Sequence, residues 1–189
     1  TVDAWYTQTC KGDLVVNGTL EIGTTTNPIP STKTFTILLN YSGSLSAGEF
    51  GMKIGNAAAA TVTIQGASKT YYATKLAADA ALGATSLTTA VSTGWKDNDV
   101  LGLAPTSRTY TECETITMNG DASGTTINFD SPASLAAAHS GTSPTQAELV
   151  NLTRNIKITS YNAGYNGYIS VKNSGTVIDW DWAEFSELG

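Results

Sequence analysis

The chain has 189 residues, the size of one domain or a compact pair, and it carries 10 Lys and Arg against 16 Asp and Glu, a net charge of −6. The basic residues form no cluster that would neutralise phosphates, so nucleic acid and anionic membranes are excluded as partners. No apolar run approaches the roughly 18–20 residues of a membrane span, so we predict no membrane insertion.

Short stretches of alternating apolar and polar residues run through the chain and are broken by Gly, Asn and Ser. Charged residues make up only 14%, and Thr, whose branched Cβ favours extended backbone, is abundant. This pattern predicts an all-β protein. The predicted strands centre on residues 14–16, 20–22, 35–39, 50–54, 62–64, 100–103, 115–118, 127–129, 156–158, 168–171 and 177–182. Short strands with frequent turn signals fit a sandwich, a barrel or a solenoid, and periodicity alone does not choose among them.

Some segments leave local alternatives open. The Asn17-Gly18 pair is compatible with a type I′ hairpin or with the corner between two strands of one solenoid coil. The first half of the Ala-rich segment 75–91 is compatible with a short helix. Residues 134–139 and 145–150 are each compatible with a single helical turn. Neither of these last two segments is long enough to define a fold.

Glycine-marked motifs recur in order from about residue 13 to the end of the chain. Residues 15–23 (VVNGTLEIG), followed by Asn27-Pro28, resemble the opening stretch of G8 domains. These are the β-strand domains of fibrocystin and of cell-migration-inducing hyaluronidase-like proteins, and they also occur in microbial and phage surface proteins. The likeness continues through Lys75-Leu76, 82–87 (LGATSL), 95–100 (WKDNDV), Glu112, Thr115-Ile116, 129–132 (FDSP), 139–141 (HSG), 152–156 (LTRNI) and Glu184-Phe185. Asn98 stands where the family usually has glycine.

The resemblance implies a right-handed parallel β-solenoid (β-helix) of short strands, with at most a short helical segment. It also implies three parts: an N-terminal extension over 1–12, a G8-like domain over 13–160, and the start of a further β-helix coil or an assembly edge over 161–189. Solenoids end in exposed strand edges that must be capped or paired. We therefore expect contacts with neighbouring subunits or with further chain of the same protein.

Cysteine and histidine are scarce. Cys10 and Cys113 are compatible with two unpaired thiols or with one disulfide in an exported protein. His139 is the only histidine, so a zinc site would lack ligands, and we expect neither a metal nor another cofactor.

The carboxylates supply weak catalytic candidates. Glycoside hydrolysis needs two carboxylates about 5 Å or 6.5–9.5 Å apart, and Asp179 and Asp181 are spaced to share one strand face. Any imidazole-based general base must be His139, because the chain has no other histidine. The resemblance places His139 in a turn motif (139–141) and therefore implies a structural role for it. The alternative is that the two aspartates are simply solvated, which is also the expectation for Glu112 and Glu114.

Aromatic residues supply the ligand-binding candidates. Trp180 and Trp182 alternate with the aspartates, so they are predicted to lie on the opposite face, where they either stack on a sugar or pack into a core or interface. Tyr161, Tyr165 and Tyr168 punctuate an Asn/Gly-rich stretch. They are compatible with a patch that faces a glycan or a protein, or with a loop whose own tyrosine side chains hold its two ends together.

The function that these features favour is non-enzymatic. We expect a structural and adhesive module of an extracellular fibre or phage tail appendage, located outside the cell or on the virion surface, with a surface that faces a cell-surface glycan. One alternative is a segment of a polysaccharide-cleaving, hyaluronidase-like enzyme. Another is a receptor-type ectodomain that binds protein partners.

Overall fold

The computed structural model describes residues 3–40, 50–161 and 166–188, with side chains from Tyr6 onward. The chain divides into two compact units, which we call the coil unit (Thr1–Ser68 with Arg154–Gly189) and the inserted unit (Lys69–Thr153). The predicted boundaries after residues 12 and 160 stay predictions. Apart from one 3-10 turn at Tyr110–Glu112, the regular structure of the described residues is β, so the predicted all-β class is confirmed. No helix in these ranges is long and apolar enough to cross a membrane.

The strands in chain order are β1 (Asp3–Lys11), β2 (Leu14–Val16), β3 (Thr19–Ile22), β4 (Lys33–Asn40), β5 (Gly51–Ile54), β6 (Thr61–Gln65), β7 (Ala73–Lys75), β8 (Ser86–Thr88), β9 (Val100–Leu103), β10 (Glu114–Met118), β11 (Thr126–Ser131), β12 (Glu148–Asn151), β13 (Ile156–Ser160), β14 (Tyr168–Val171), β15 (Val177–Asp181) and β16 (Ala183–Ser186).

The coil unit consists of three parallel sheets. Their strand orders are β1-β4-β13-β16, β2-β5-β14 and β3-β6-β15. The chain therefore visits the first, second and third sheet in turn, three times over, and then returns to the first sheet with β16. Each circuit is one coil. The Asn17-Gly18 pair joins β2 to β3, which lie in different sheets, so it forms a corner and not a hairpin.

Side chains of successive coils stack in register. Because paired residues of parallel strands point to the same side, apolar positions repeat as columns. One column is Ile22, Ile64 and Trp180, and the neighbouring one begins with Leu20 and Val62. The first sheet supplies Ile37 and Ile158 in the same way. The fully buried members of these columns form the core of the unit.

The connection that leaves the third sheet differs in length from coil to coil. It is residues 23–32 in the first coil, the whole inserted unit with its flanking residues in the second, and the single residue Trp182 in the third. The residue directly after the third strand of each coil is Gly23, Gly66 and Trp182, respectively. A Cβ on Gly66 would lie 2.5 Å from the carbonyl oxygen of Trp182, so the close approach of the third coil requires glycine there.

The Asn155 amide ties two of these connections together. Its nitrogen donates to the carbonyl oxygens of Ile29 at 2.9 Å and Lys33 at 3.1 Å, both in or beside the first connection. Its Oδ1 accepts a hydrogen bond of 2.9 Å from the Ala67 amide. The chain therefore leaves and re-enters the coil unit at neighbouring points.

The inserted unit is built differently. Its strands form one antiparallel sheet in the order β7-β12-β9-β10-β11-β8, over a separate core that includes Trp95. The predicted parallel solenoid is therefore wrong for this part of the chain. Every described strand pair in this unit is antiparallel, so the chain does not form successive parallel coils here.

The helical alternatives in the inserted unit are also wrong. Segment 75–91 contains the end of β7 and all of β8, and Gly83 between them adopts a φ of +85°, which is a turn conformation. Residues 145–150 lead into β12, where burial alternates as in a strand with one buried face. Asn98 adopts a φ of +65°, a left-handed conformation that Asn tolerates better than most non-glycine residues.

Candidate functional site

The corner after β15 places an indole where glycine would be less strained. Trp182 follows Asp181 and precedes Ala183, and it has a φ of +56°. The left-handed conformation costs a non-glycine residue roughly 1–2 kcal/mol, and such strain clusters at functional sites. Gly23, at the end of the first coil's third strand, has a similar φ of +73° without this cost. The strain at Trp182 therefore marks this corner as a candidate functional position.

A cation lies against the Trp182 ring, and a carboxylate bonds to the Trp182 backbone. The Arg154 guanidinium lies 5.3 Å from the ring centroid, within cation–π range. The Asp181 Oδ1 accepts a hydrogen bond of 3.1 Å from the Trp182 amide, and the Asp181 carbonyl accepts one of 3.0 Å from Gly66. Asp179 and Asp181 are both exposed. We call Arg154, Asp181 and Trp182 the corner site.

The corner site has the chemistry that sugars require. An indole offers a flat apolar face to sugar C–H groups, while carboxylates accept and a guanidinium donates hydrogen bonds to hydroxyl groups. The strand-to-corner geometry holds these three kinds of group together on adjacent or contacting residues. The sequence singled out Trp182 and Asp181, but it gave no signal that Arg154, which lies 28 positions from Trp182, would be their neighbour.

The two predicted tryptophans have different environments. Trp180 points into the end of the Ile22–Ile64 column and packs against the core and against Phe185, whose ring centroid is 5.0 Å away. Its Nε1 is buried and has no hydrogen-bond partner among the described residues. Trp182 lies beyond the end of the strand. The structure therefore places Trp180 at the core and leaves Trp182 to the corner site.

The tyrosine candidates lie elsewhere. Tyr161 is exposed directly after β13, and Tyr168 begins β14 with its ring centroid 5.8 Å from the Nζ of Lys53. Lys53 also donates a hydrogen bond to Asp13. The hydrogen bond with Asp13, and to a smaller extent the one with Tyr168, raises the pKa of Lys53. Tyr165 lies outside the described residues. The binding roles of these three tyrosines stay predictions.

His139 is engaged inside the inserted unit. Its side chain is fully buried, with Nδ1 at 3.0 Å from the Ala104 carbonyl oxygen and Nε2 at 3.0 Å from Glu114 Oε1. Both partners are hydrogen-bond acceptors, so each ring nitrogen of His139 lies against an acceptor inside the unit. The weak catalytic candidate His139 thus has both of its ring nitrogens occupied by structural contacts.

Glu114 is the residue that the sequence interpretation missed. The prediction that it is solvated is wrong, because its side chain is only 9% exposed. Burial opposes ionisation, but hydrogen bonds from the amides of Ala136 (2.8 Å) and Ala137 (3.1 Å) and from His139 outweigh it and lower the pKa of Glu114. The available signal was spacing, since Glu114 shares a strand face with the buried Ile116 and Met118.

Both cysteines are free thiols in the structure, and they belong to different units. The disulfide alternative stays a prediction. Cys10 is half-buried in β1, where burial raises its pKa, and Cys113 is exposed in the inserted unit. Among the described residues, no group of three or more His, Cys, Asp or Glu side chains is placed to hold a metal ion.

Comparison with known proteins found no matching protein-family model and no matching curated protein. Three solved phage tailspikes align with the chain. The gp54 tailspike of Acinetobacter baumannii bacteriophage AP22, solved with A. baumannii capsular saccharide, aligns over 92% of this chain and 26% of its own at 17% identity, with a TM-score of 0.38. The gp49 tailspike of Pseudomonas phage LKA1 aligns over 82% and 25% at 12% identity (TM-score 0.39), and the gp61 tailspike of Pseudomonas phage phi297 over 96% and 28% at 12% identity (TM-score 0.44). The chain spans about a quarter of the length of these tailspikes.

Proposed function

We propose that the chain is a non-enzymatic β-solenoid module of an extracellular fibre or phage tail appendage, and that its corner site binds a cell-surface glycan. The observation that carries the proposal is the strained Trp182, held at φ +56° against Arg154 and beside an exposed carboxylate. The virion setting is proposed from the phage tailspikes with which the chain aligns. The glycan class is proposed from the gp54 tailspike, which was solved with a capsular saccharide.

The coil unit suits a module that displays a binding surface. Its strands are stacked about 4.8 Å apart, and apolar columns fill the interior. A side chain at a corner is therefore held at a fixed position along the solenoid axis and points in a fixed direction. Right-handed winding and membership of the G8 family belong to the proposal. The glycine-marked residues 15–23 form β2, the Asn17-Gly18 corner, β3 and Gly23, which supports the family assignment.

The carboxylates favour binding over cleavage. A glycosidase needs one carboxylic acid that stays protonated near neutral pH, usually because an apolar pocket raises its pKa. Asp179 and Asp181 are both exposed on β15, in the third coil. His139 is fully buried and bonded through both nitrogens in the inserted unit. The exposure of the two aspartates and the hydrogen bonds of His139 support a surface that binds a polysaccharide without cleaving it.

Replacing Trp182 with glycine separates binding from folding. Glycine relieves the left-handed strain but removes the indole and its contact with Arg154, so we expect the free energy of unfolding to change by less than about 1 kcal/mol. We expect affinity for the bound glycan to fall about tenfold or more. The measurement is binding of wild type and variant to an array of purified bacterial capsular and O-antigen polysaccharides, with urea unfolding in parallel.

Tyr110→Ala is the matched control, because Tyr110 is an aromatic residue that is 84% exposed in the inserted unit. It should bind the array as wild type does. Equal binding by Trp182→Gly and wild type would contradict the proposed site. New reducing ends in the polysaccharide, lost in Asp179→Asn or Asp181→Asn, would instead establish the polysaccharide-cleaving alternative.

A further inference from the structure

Three polar residues meet at one end of the antiparallel sheet of the inserted unit. Lys69 is the first residue of the unit, Asp99 directly precedes β9, and Asn151 ends β12. Because β12 runs antiparallel to both β7 and β9, its last residue lies beside the beginnings of those two strands. The Asn151 amide also donates to the Tyr72 carbonyl oxygen at 2.8 Å, which keeps the segment leading from Lys69 into β7 beside β12. We call Lys69, Asp99 and Asn151 the entry cluster.

The entry cluster is largely buried. Asp99 is 4% exposed and Asn151 is fully buried. The Lys69 Nζ donates to Asp99 Oδ1 at 2.9 Å and to Oδ2 at 3.0 Å, and the Asn151 Nδ2 donates to the same Oδ2 at 2.7 Å. The lysine nitrogen and the asparagine carboxamide therefore lie beside each other, around one carboxylate oxygen.

Backbone amides hold the reacting groups of the entry cluster in place. The Thr153 amide donates to Asn151 Oδ1 at 3.0 Å, and the Lys96 amide donates to Asp99 Oδ2 at 3.0 Å. A donor at a carbonyl oxygen stabilises the negative charge that develops there when a nucleophile attacks the carbonyl carbon. The cluster thus combines an amine nucleophile, a carboxylate that can transfer protons, an amide carbon and a donor at its oxygen. These are the groups that amide exchange requires.

We infer that Lys69 and Asn151 form an intramolecular isopeptide bond, with Asp99 as the catalytic residue. Asp99 takes a proton from the Lys69 ammonium, and the neutral Nζ attacks Cγ of Asn151 while negative charge collects on Oδ1 beside the Thr153 amide. Asp99 passes its proton to Nδ2, and the Cγ–Nδ2 bond breaks as the Nζ–Cγ amide forms. The proton that Nζ then gives up leaves through Asp99 with the ammonia, as ammonium. Asp99 ends ionised, and the step needs no oxidant or other reactant.

The cluster favours Asn151 over Asp99 as the partner of Lys69. A bond between Lys69 and Asp99 would expel water, and the departing oxygen would need a separate acid to protonate it. In the part of the chain that the structure describes, the groups that donate to Asp99 are the Lys69 amine, the Lys96 amide and the Asn151 carboxamide, and none is a carboxylic acid. Asp99 is therefore placed to catalyse the reaction and not to be consumed by it.

The bond would join the two ends of the inserted unit. Lys69 is its first residue, and Asn151 lies close to its last residue, Thr153. Tension along the chain would then pass across the bond and bypass the unit, and the two ends would stay together when the unit opens. Covalent closure of a long loop also disfavours the unfolded chain. The bond requires neither the corner site nor a bound glycan.

Intact-mass spectrometry of the full chain under reducing conditions tests the inference. Wild type should be lighter than its sequence predicts by the mass of one ammonia molecule, and its digest should contain a branched peptide with both Lys69 and Asn151. Lys69→Arg keeps a cation against Asp99 but removes the amine nucleophile, so it should have the full mass of its sequence. Asp99→Asn should form the bond at least about 100-fold more slowly, because the group that transfers protons is gone.

Lys75→Arg is the matched control. Lys75 lies in the same unit, and its ion pair with Glu148 is exposed, so this variant should lose the mass of one ammonia as wild type does. Cyclisation at an Asn-Gly pair such as Asn119-Gly120 would lose the same mass, but it would persist in Lys69→Arg and would give no branched peptide.

The wild-type digest decides the outcome even where a variant fails to fold. Lys69 and Asn151 found only in separate peptides, with wild type at its full sequence mass, would overturn the inference and leave Lys69 and Asp99 as a buried ion pair. Loss of one water in place of ammonia, with the branch at Asp99, would also overturn it. So would a branched peptide formed as fast in folded Asp99→Asn as in wild type, because Asp99 would then have no catalytic role.

Discussion

Replacing Glu114 with alanine is expected to destabilise the inserted unit by about 3 kcal/mol or more, because it removes a nearly buried carboxylate that accepts three hydrogen bonds. The change leaves the His139 Nε2–H and the amides of Ala136 and Ala137 without their acceptor. The ring nitrogen of the fully buried His139 would then be desolvated without compensation. Urea unfolding measured at neutral pH would report the loss.

Glu148→Ala provides the matched control for this prediction. Glu148 lies in the same unit and forms a 3.8 Å ion pair with Lys75, but both side chains are more than half exposed. Exposed pairs contribute about 0–1 kcal/mol, so this variant should unfold close to wild type. Similar losses in Glu114→Ala and Glu148→Ala would contradict the structural role of Glu114.

Acid titration provides a second readout of the same carboxylate. The pKa of Glu114 is lower in the folded protein than its ordinary value of 4.5. Its stabilising contribution is therefore complete above about pH 4.5 and is lost as the pH falls through the lower folded-state pKa. The wild type should lose this part of its stability on acidification. Glu114→Ala should lack that part of the pH dependence, because the titrating group is gone.

Replacing Gly51 with alanine is expected to disrupt the coil unit. Gly51 in β5 pairs with Tyr168 in β14, and a Cβ added to it would overlap the Tyr168 carbonyl oxygen and lie 2.9 Å from that residue's backbone nitrogen. The obstacle is backbone, so no side-chain rotation relieves it, and two paired strands must separate. We expect a loss at the upper end of the about 1–3 kcal/mol typical of overpacking, or beyond it.

Gly18→Ala is the control for the glycine prediction. A Cβ at Gly18, in the corner between β2 and β3, meets nothing within 4 Å, and its φ is not in the left-handed region. The free energy of unfolding should therefore stay within about 0.5 kcal/mol of wild type. If Gly51→Ala were equally neutral, β5 and β14 would not be adjacent, and the third coil would be misplaced.

Alternation of apolar and polar residues predicted eleven of the strands, missed β1, β7, β8, β12 and β16, and did not identify the partners of any strand. A period of two is the same for parallel and antiparallel strands, so the pattern gave no indication that strands of the inserted unit pair with antiparallel neighbours. The columns of the coil unit join residues far apart in sequence, such as Ile64 and Trp180, with the inserted unit between them. The prediction of parallel coils came from the resemblance to a glycine-marked family, because periodicity did not choose among a sandwich, a barrel and a solenoid.

The corner site shows where spacing alone misleads. Counting by two from Trp180 places Trp182 on the same strand face, but β15 ends at Asp181, and the backbone turns at the next residue. Strand ends depend on the tertiary contacts of the corner, here the hydrogen bond from Gly66 to the Asp181 carbonyl oxygen. Asp179 and Asp181 are both exposed on β15, with the partly buried Trp180 between them, and this placement needs only local alternation. Their catalytic candidacy stays a prediction.

The parallel, in-register stacking of the coils supports the function proposed for this chain, and a disulfide across two coils tests it most directly. Thr63 in β6 and Asp179 in β15 are register partners, so their Cα atoms lie about one strand spacing apart, within the range that a disulfide spans. With Cys10 and Cys113 replaced by serine, Thr63→Cys with Asp179→Cys should oxidise readily to an intramolecular disulfide. The pair Thr63→Cys with Asp181→Cys, displaced by two residues, should not. Efficient crosslinking of the displaced pair, or none in the register pair, would contradict the coil arrangement and the corner site built on it.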